Sequence, residues 1–165
     1  MLGSAPIADV VEHSSAFLPP LVGVSGTVVD LGSGGGVPGL VIGWMRPDLH
    51  LVLVDRRATR TDHLRRLVHR LGVQDRVDVL TTDAAALPRL LGAPVDAVVS
   101  RGFGPPHEVL TVATPILGLD GLLIIAEPPD EHDRWTHAIG ATALARMPWP
   151  DRRVAVLRRV PRRTL

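Results

Sequence analysis

The stretch "TVVDLGSGGGVPGLVIGWMRPDLHLVLVD", Thr27 to Asp55, constrains the fold more than any other part of this chain. Six glycines fall in the twelve residues from Gly32 to Gly43, between two apolar runs that carry Asp30 and Asp55 at their ends. Glycine loses more backbone freedom on folding than any other residue. Such crowding is therefore useful only where the chain must turn sharply or let another group approach its backbone. The first run is short and rich in β-branched residues, and the segment after the glycines is long enough for one helix, with Pro38 suited to a first helical turn. A glycine loop that leaves a parallel strand at its carboxyl end sits where open α/β sheets bind ligands.

The same rhythm continues downstream. Apolar runs at Thr27–Leu31, Leu49–Asp55, Arg76–Leu80, Val95–Ser100 and Leu119–Glu127 read as strands. Between them, Leu64, Leu67, Val68 and Leu71 recur at the spacing of one helical face within Thr59–Leu71, and Gly72 is the natural stop. Asp83–Leu91 and Pro106–Leu117 read as shorter helices. Strands alternating with helices pair parallel through right-handed crossovers. The end departs from this: Ala141–Met147 and Arg153–Val160 are joined by "PWPD", too short for a crossover helix, so they pair antiparallel. The expected fold is α/β, a doubly wound, mostly parallel seven-stranded sheet with a C-terminal antiparallel hairpin. One domain is expected, with residues 1–24 as a helix-and-loop cap and 25–165 as the core.

Composition narrows the function classes. The chain has 165 residues, 45% hydrophobic and 21% charged, a globular balance with no run of about 18 apolar residues for a spanning helix. The N-terminus lacks a basic region before its apolar residues, so no signal peptide and a cytoplasmic location are expected. There is no cysteine, hence no thiolate metal site or thiol nucleophile, and the histidines lack metal spacing. Arginine supplies all 18 basic residues against 17 acidic ones, a net charge of +1, so no strong whole-molecule field points to a partner.

Two acids and the loop define a nucleoside-binding crevice. Asp55 ends the second strand, where a carboxylate can accept both hydroxyls of a ribose. Gly34, Gly36 and Gly39 formally satisfy the dinucleotide fingerprint, which is a weak signal alone. Asp30 tilts the choice, because a pyrophosphate beside it would meet a carboxylate at close range, several kcal/mol of repulsion at an effective dielectric near ~20. S-adenosylmethionine brings an ammonium and a sulfonium to that place instead, and the terminal hairpin also suits methyltransferases. Asp83, after the third strand, either accepts from an adenine amino group or caps the following helix.

The strings "VVDLGSGGGVPGLVI", "LVLVDRRATRTDHLRRLVHRLG" and "DAVVSRGFGPP" resemble the bacterial small-subunit ribosomal RNA guanine-N7 methyltransferases of the RsmG or GidB type, over most of the chain from about Ile7 to Val160. The resemblance implies an enzyme that uses S-adenosylmethionine, with ribosomal RNA or the 30S subunit as partner and neither metal nor membrane involved. It places Gly32, Ser33, Gly34 and Gly36 at the methionine and ribose end, Asp55 on the ribose, Ala84 by the adenine, and Arg101 beside the methyl-transfer site.

The residue inventory is compatible with that acceptor. Pyrimidine C5 methylation needs a cysteine and ribose 2′-hydroxyl enzymes typically use lysine; the chain has neither. Guanine N7 presents a free lone pair and needs no base. Arg101 could pair with guanine O6 or a phosphate, or form a structural ion pair; Phe103 could stack on a base or serve the core. Two alternatives stay open: a small-molecule methyltransferase lacking an RNA-binding extension, and a non-catalytic cofactor-binding subunit.

Overall fold

The computed structural model describes residues 7–128, 134–139 and 142–161. Its strands are β1 (Gly26–Leu31), β2 (Leu49–Asp55), β3 (Val77–Thr81), β4 (Val95–Ser100), β5 (Leu117–Ala126), β6 (Leu144–Met147) and β7 (Val154–Arg159). They form one sheet in the order β3-β2-β1-β4-β5-β7-β6. The pairings among β1 to β5 are parallel, and β7 runs antiparallel to both β5 and β6. β2 and β4 begin and end where the apolar runs do. β5 starts two residues earlier than its apolar pattern, directly at the end of a helix. The proposed start of β6 at Ala141 lies outside the described residues.

The helices are α1 (Ile7–Ser15), α2 (Gly39–Met45), α3 (Ala58–Arg70), α4 (Leu87–Leu90), α5 (Pro106–Ile116) and α6 (Thr136–Ile139). The expected helix over Asp83–Leu91 is corrected to a 3-10 turn at Ala84–Ala86 followed by the single turn of α4. Asp83 caps the 3-10 turn by accepting from the Ala85 amide at 2.9 Å, and Pro88 lies in the first turn of α4, where its missing N–H costs nothing.

Alternation along the strands sorts the core into two layers. Val29, Leu31, Val52, Val54, Val98, Leu123 and Ile125 face α4, α5 and α6, where Leu110, Ile116 and the fully buried Trp135 complete the packing. Val28, Leu51, Leu53, Ala97, Val99 and Ile124 face the other way, onto Phe17, Leu21, Ile42, Leu64 and Val68. Strands buried on both faces account for their nearly unbroken apolar runs. The N-terminal helix and the Pro19–Leu21 turn sit on this second layer, where Arg46 donates to the carbonyls of Leu21 and Val24 at 2.8 and 3.0 Å. Among the described residues, no helix is long and apolar enough to cross a membrane.

Candidate active site

All five parallel strands end on one edge, and the chain reverses its winding between β1 and β4, so the crevice opens there. A cleft of about 610 Å³ occupies this position, within the usual range for a small-molecule site. Its walls are the end of β1 at Gly32, the end of β2 at Asp55, the β3 exit at Thr82–Ala84, and the Gly102–Phe103 loop after β4. Gly32 has φ +70°, and a Cβ there would meet the Phe103 ring at 3.0 Å. A side chain at position 32 would thus push apart the loops that form the floor.

Asp55 organises the cleft. Its carboxylate is 6% exposed, accepts from the Gly34 amide at 3.1 Å and the Arg57 amide at 2.9 Å, and lies 3.5 Å from the Arg60 guanidinium. Each carboxylate oxygen accepts more than one hydrogen bond, so these contacts fix the group without exhausting it. Asp83 and Ala84 also line the cleft, with one Asp83 oxygen used as the cap described above.

The other glycine-loop residues are placed differently. Ser33 is buried: its hydroxyl donates to the Asp30 carbonyl at 2.9 Å and accepts from the Val54 amide at 3.0 Å, stitching β1 to β2 beneath the loop. Gly36, at φ +93°, faces inward, where a Cβ would meet Leu40 at 2.4 Å. Gly34 meets Asp55 through its amide. None of these three lines the cleft, so their contribution is the shape of the loop rather than its open surface.

Asp30 requires a correction. Strand alternation turns its side chain away from the cleft, onto the layer of α2, where one oxygen accepts from the Gly39 amide at 3.0 Å. The other oxygen is buried without a hydrogen-bond partner among the described residues. Burial raises its pKa from 3.8 to about 7, with the hydrogen bond from the Gly39 amide opposing the shift and the nearby Asp55 charge adding to it. Asp30 is absent from the cleft lining and tied to Gly39, so its charge does not face a ligand there and does not by itself choose a sulfonium over a diphosphate.

Arg101 does not line the cleft. It lies in an adjoining slot of about 310 Å³, which shares Gly102 and Phe103 with the cleft and is further lined by Ser100, Glu127 and Arg134. Arg101 is exposed and makes no hydrogen bond or ion pair among the described residues. The Ser100 hydroxyl is fully buried and has no hydrogen-bond partner among the described residues. The Glu127 side chain is only 6% exposed, accepts from the Trp135 indole N–H, and sits 3.5 Å from the Arg134 guanidinium. Sequence reasoning missed Ser100, Glu127, and the α5 wall of the cleft formed by His107, Glu108, Thr111 and Val112. Ser100 directly precedes Arg101 in the chain, but a helix wall is set by packing between distant segments. Among the described residues, no cluster of acidic or histidine side chains could hold a metal ion.

A parallel sheet with a reversed β7, a glycine loop after β1 and an acid ending β2 defines the Rossmann-like fold of class I methyltransferases. Solved structures agree at the level of fold. A methyltransferase from Geobacter sulfurreducens superposes with TM-score 0.71 at 17% identity, covering 98% of this chain and 91% of its own. An rRNA methylase from Streptococcus thermophilus gives TM-score 0.63 at 16% identity, covering 98% of this chain and all of its own. Residues 9–139 match the family described as GidB, rRNA small subunit methyltransferase G, and the chain belongs to that family. Curated relatives carry the name ribosomal RNA small subunit methyltransferase G. The one from Rhizorhabdus wittichii is 41% identical over 101 residues, 60% of this chain and 45% of that protein. The one from Mycolicibacterium gilvum is 30% identical over 135 residues, 78% of this chain and 59% of that protein. The chain thus spans about half the length of the curated relatives it matches.

Proposed function

We propose that this chain binds S-adenosylmethionine in the cleft and transfers its methyl group to guanine N7 of small-subunit ribosomal RNA held in the adjoining slot. The observation that carries the reading is the pairing of two cavities across Phe103. One is built around a buried ribose-type carboxylate; the other is small and lined by Arg101, Ser100 and Glu127. Family membership supports the acceptor class.

The residues fit the donor on structural grounds. Asp55 stands rigidly at the β2 terminus with oxygen lone pairs left for two hydroxyls, and Gly32 leaves room that a Cβ would fill. The Ala84 end of the cleft offers a buried apolar wall to an adenine. When bound, the donor supplies a methyl group on a positively charged sulfur. Held at Asp55 and the Gly32 turn, it would supply that methyl group to the lone pair of guanine N7 with the neutral thioether as leaving group, so no general base would be needed. The protein's task is therefore alignment, worth up to about 7–11 kcal/mol when reacting atoms are held in line. Arg101 can donate to guanine O6, beside the reacting nitrogen. Phe103 lines both cavities.

The test is incubation of the purified protein with methyl-labelled S-adenosylmethionine and small-subunit ribosomal RNA from cells lacking the gene, followed by nucleoside analysis. Label recovered as N7-methylguanosine supports the reading. Label on another nucleoside, or only on small molecules, overturns it.

A further inference from the structure

Three acids line the cofactor cleft, and they are unequally committed. Asp55 accepts from two backbone amides and lies beside Arg60, while Asp83 gives one oxygen to the Ala85 amide. Glu108, on the α5 wall, is exposed, and its carboxylate makes no hydrogen bond or ion pair among the described residues. The guanidinium groups of the lining, those of Arg56, Arg57 and Arg60, all follow Asp55 closely in the chain.

Helix chemistry does not use up the Glu108 carboxylate. Glu108 is the third residue of α5, the place from which a capping-box glutamate reaches back to the N-cap amide. The N-cap here is Pro105, which has no N–H to give. The helix N-terminus attracts the charge but offers it no hydrogen bond at that position. The side chain reaches back all the same, since a Cβ built on Gly104 would stand 2.5 Å from Glu108 Oε2. The carboxylate therefore lies against Gly104, in the loop after β4. Gly104 lines the slot and Glu108 lines the cleft, so this negative charge stands at the end of the cleft nearest the slot.

We infer that Glu108 is the residue by which the cleft distinguishes a sulfonium from a neutral thioether, its carboxylate facing the charged sulfur of S-adenosylmethionine and finding no such charge in S-adenosylhomocysteine; this rests on the cofactor placement proposed above, with the sulfur at the slot end. The other acids are placed for different work. Asp30 is turned onto α2 and is absent from the cleft lining. Asp55 stands at the end of β2 with Arg60 beside it, and Asp83 at the exit of β3. A cation at the slot end is thus met by Glu108. The same carboxylate holds the donor more firmly than the demethylated product, which favours exchange of one for the other after transfer.

The experiment is calorimetric titration of wild type, Glu108→Gln and Glu108→Lys with S-adenosylmethionine and, separately, with S-adenosylhomocysteine. The quantity read is the ratio of the two affinities within each protein, from which any change in stability cancels. A unit charge about 5 Å from an exposed carboxylate, at an effective dielectric of about 40–80, corresponds to roughly 4- to 16-fold in affinity. Glu108→Gln keeps the shape and removes the charge, so S-adenosylmethionine affinity falls by that factor while S-adenosylhomocysteine affinity holds. Glu108→Lys reverses the charge and lowers the ratio about twice as far on a logarithmic scale. A wild-type ratio in both variants, whether the two affinities hold or fall together, would overturn the assignment and leave the cofactor cleft intact. A wild-type protein that binds neither ligand would overturn the cofactor reading itself.

Discussion

Asp30 gives a prediction whose size follows from the structure. Asp30 is 1% exposed, with one carboxyl oxygen on the Gly39 amide and the other without a partner among the described residues. Burial raises its pKa from 3.8 to about 7, so the folded protein binds that proton more tightly than the unfolded chain does. The resulting contribution to stability is complete below pH 3.8 and is lost progressively as pH rises through about 7. At about 1.36 kcal/mol per pKa unit, the whole shift corresponds to about 4 kcal/mol. Asp30→Asn removes the titration but keeps an oxygen to accept from Gly39. Urea unfolding of both proteins at a series of pH values reports chiefly on Asp30, because titrating groups that do not interact with it cancel in the difference. The stability of the variant relative to wild type climbs with pH by up to about 1.4 kcal/mol per unit and levels off above neutrality. A difference that stays flat from pH 4 to 8 would refute the desolvation of this carboxyl, and with it the placement of Asp30 beneath the loop.

Asp55→Ala frees the Gly34 and Arg57 amides and removes the ribose acceptor. S-adenosylmethionine affinity falls by about 1.5–3 kcal/mol, roughly 10- to 150-fold by calorimetry; unchanged affinity places the ribose elsewhere. Ser33→Ala leaves the buried Val54 amide without its side-chain acceptor. Unfolding free energy drops by about 1–3 kcal/mol, which chemical denaturation measures. Arg101→Gln lies outside the cofactor cleft, so methyl transfer to RNA falls while S-adenosylhomocysteine binding by calorimetry does not change.

The fold was legible because β2 and β4 are buried on both faces and carry continuous apolar runs bounded by turns. The short link at "PWPD" left only antiparallel pairing for β6 and β7, and the structure has it. The helix expected over Asp83–Leu91 was not legible, since DAAAL favours a helix by propensity while Asp83 and Pro88 divide it into two short turns. In the site, Asp55 could be read from its position at a strand end beside the glycine loop. Asp30 could be found but not placed, since the direction of its side chain depends on the phase of β1 relative to α2. The glycines illustrate the same limit. Gly32 borders the cleft, whereas Gly36 is glycine because Leu40 and Leu64 pack onto it. Ser100, Glu108 and Glu127 take their meaning from cavities assembled by residues far apart in the chain, which no local pattern announces.

A crystal soaked with S-adenosylhomocysteine tests the account at its centre. The prediction is density for the ribose within hydrogen-bonding reach of Asp55, the adenine against Ala84, and the sulfur directed past Phe103 toward the slot that holds Arg101. An empty cleft, or a nucleoside bound with its sulfur turned away from that slot, would contradict it.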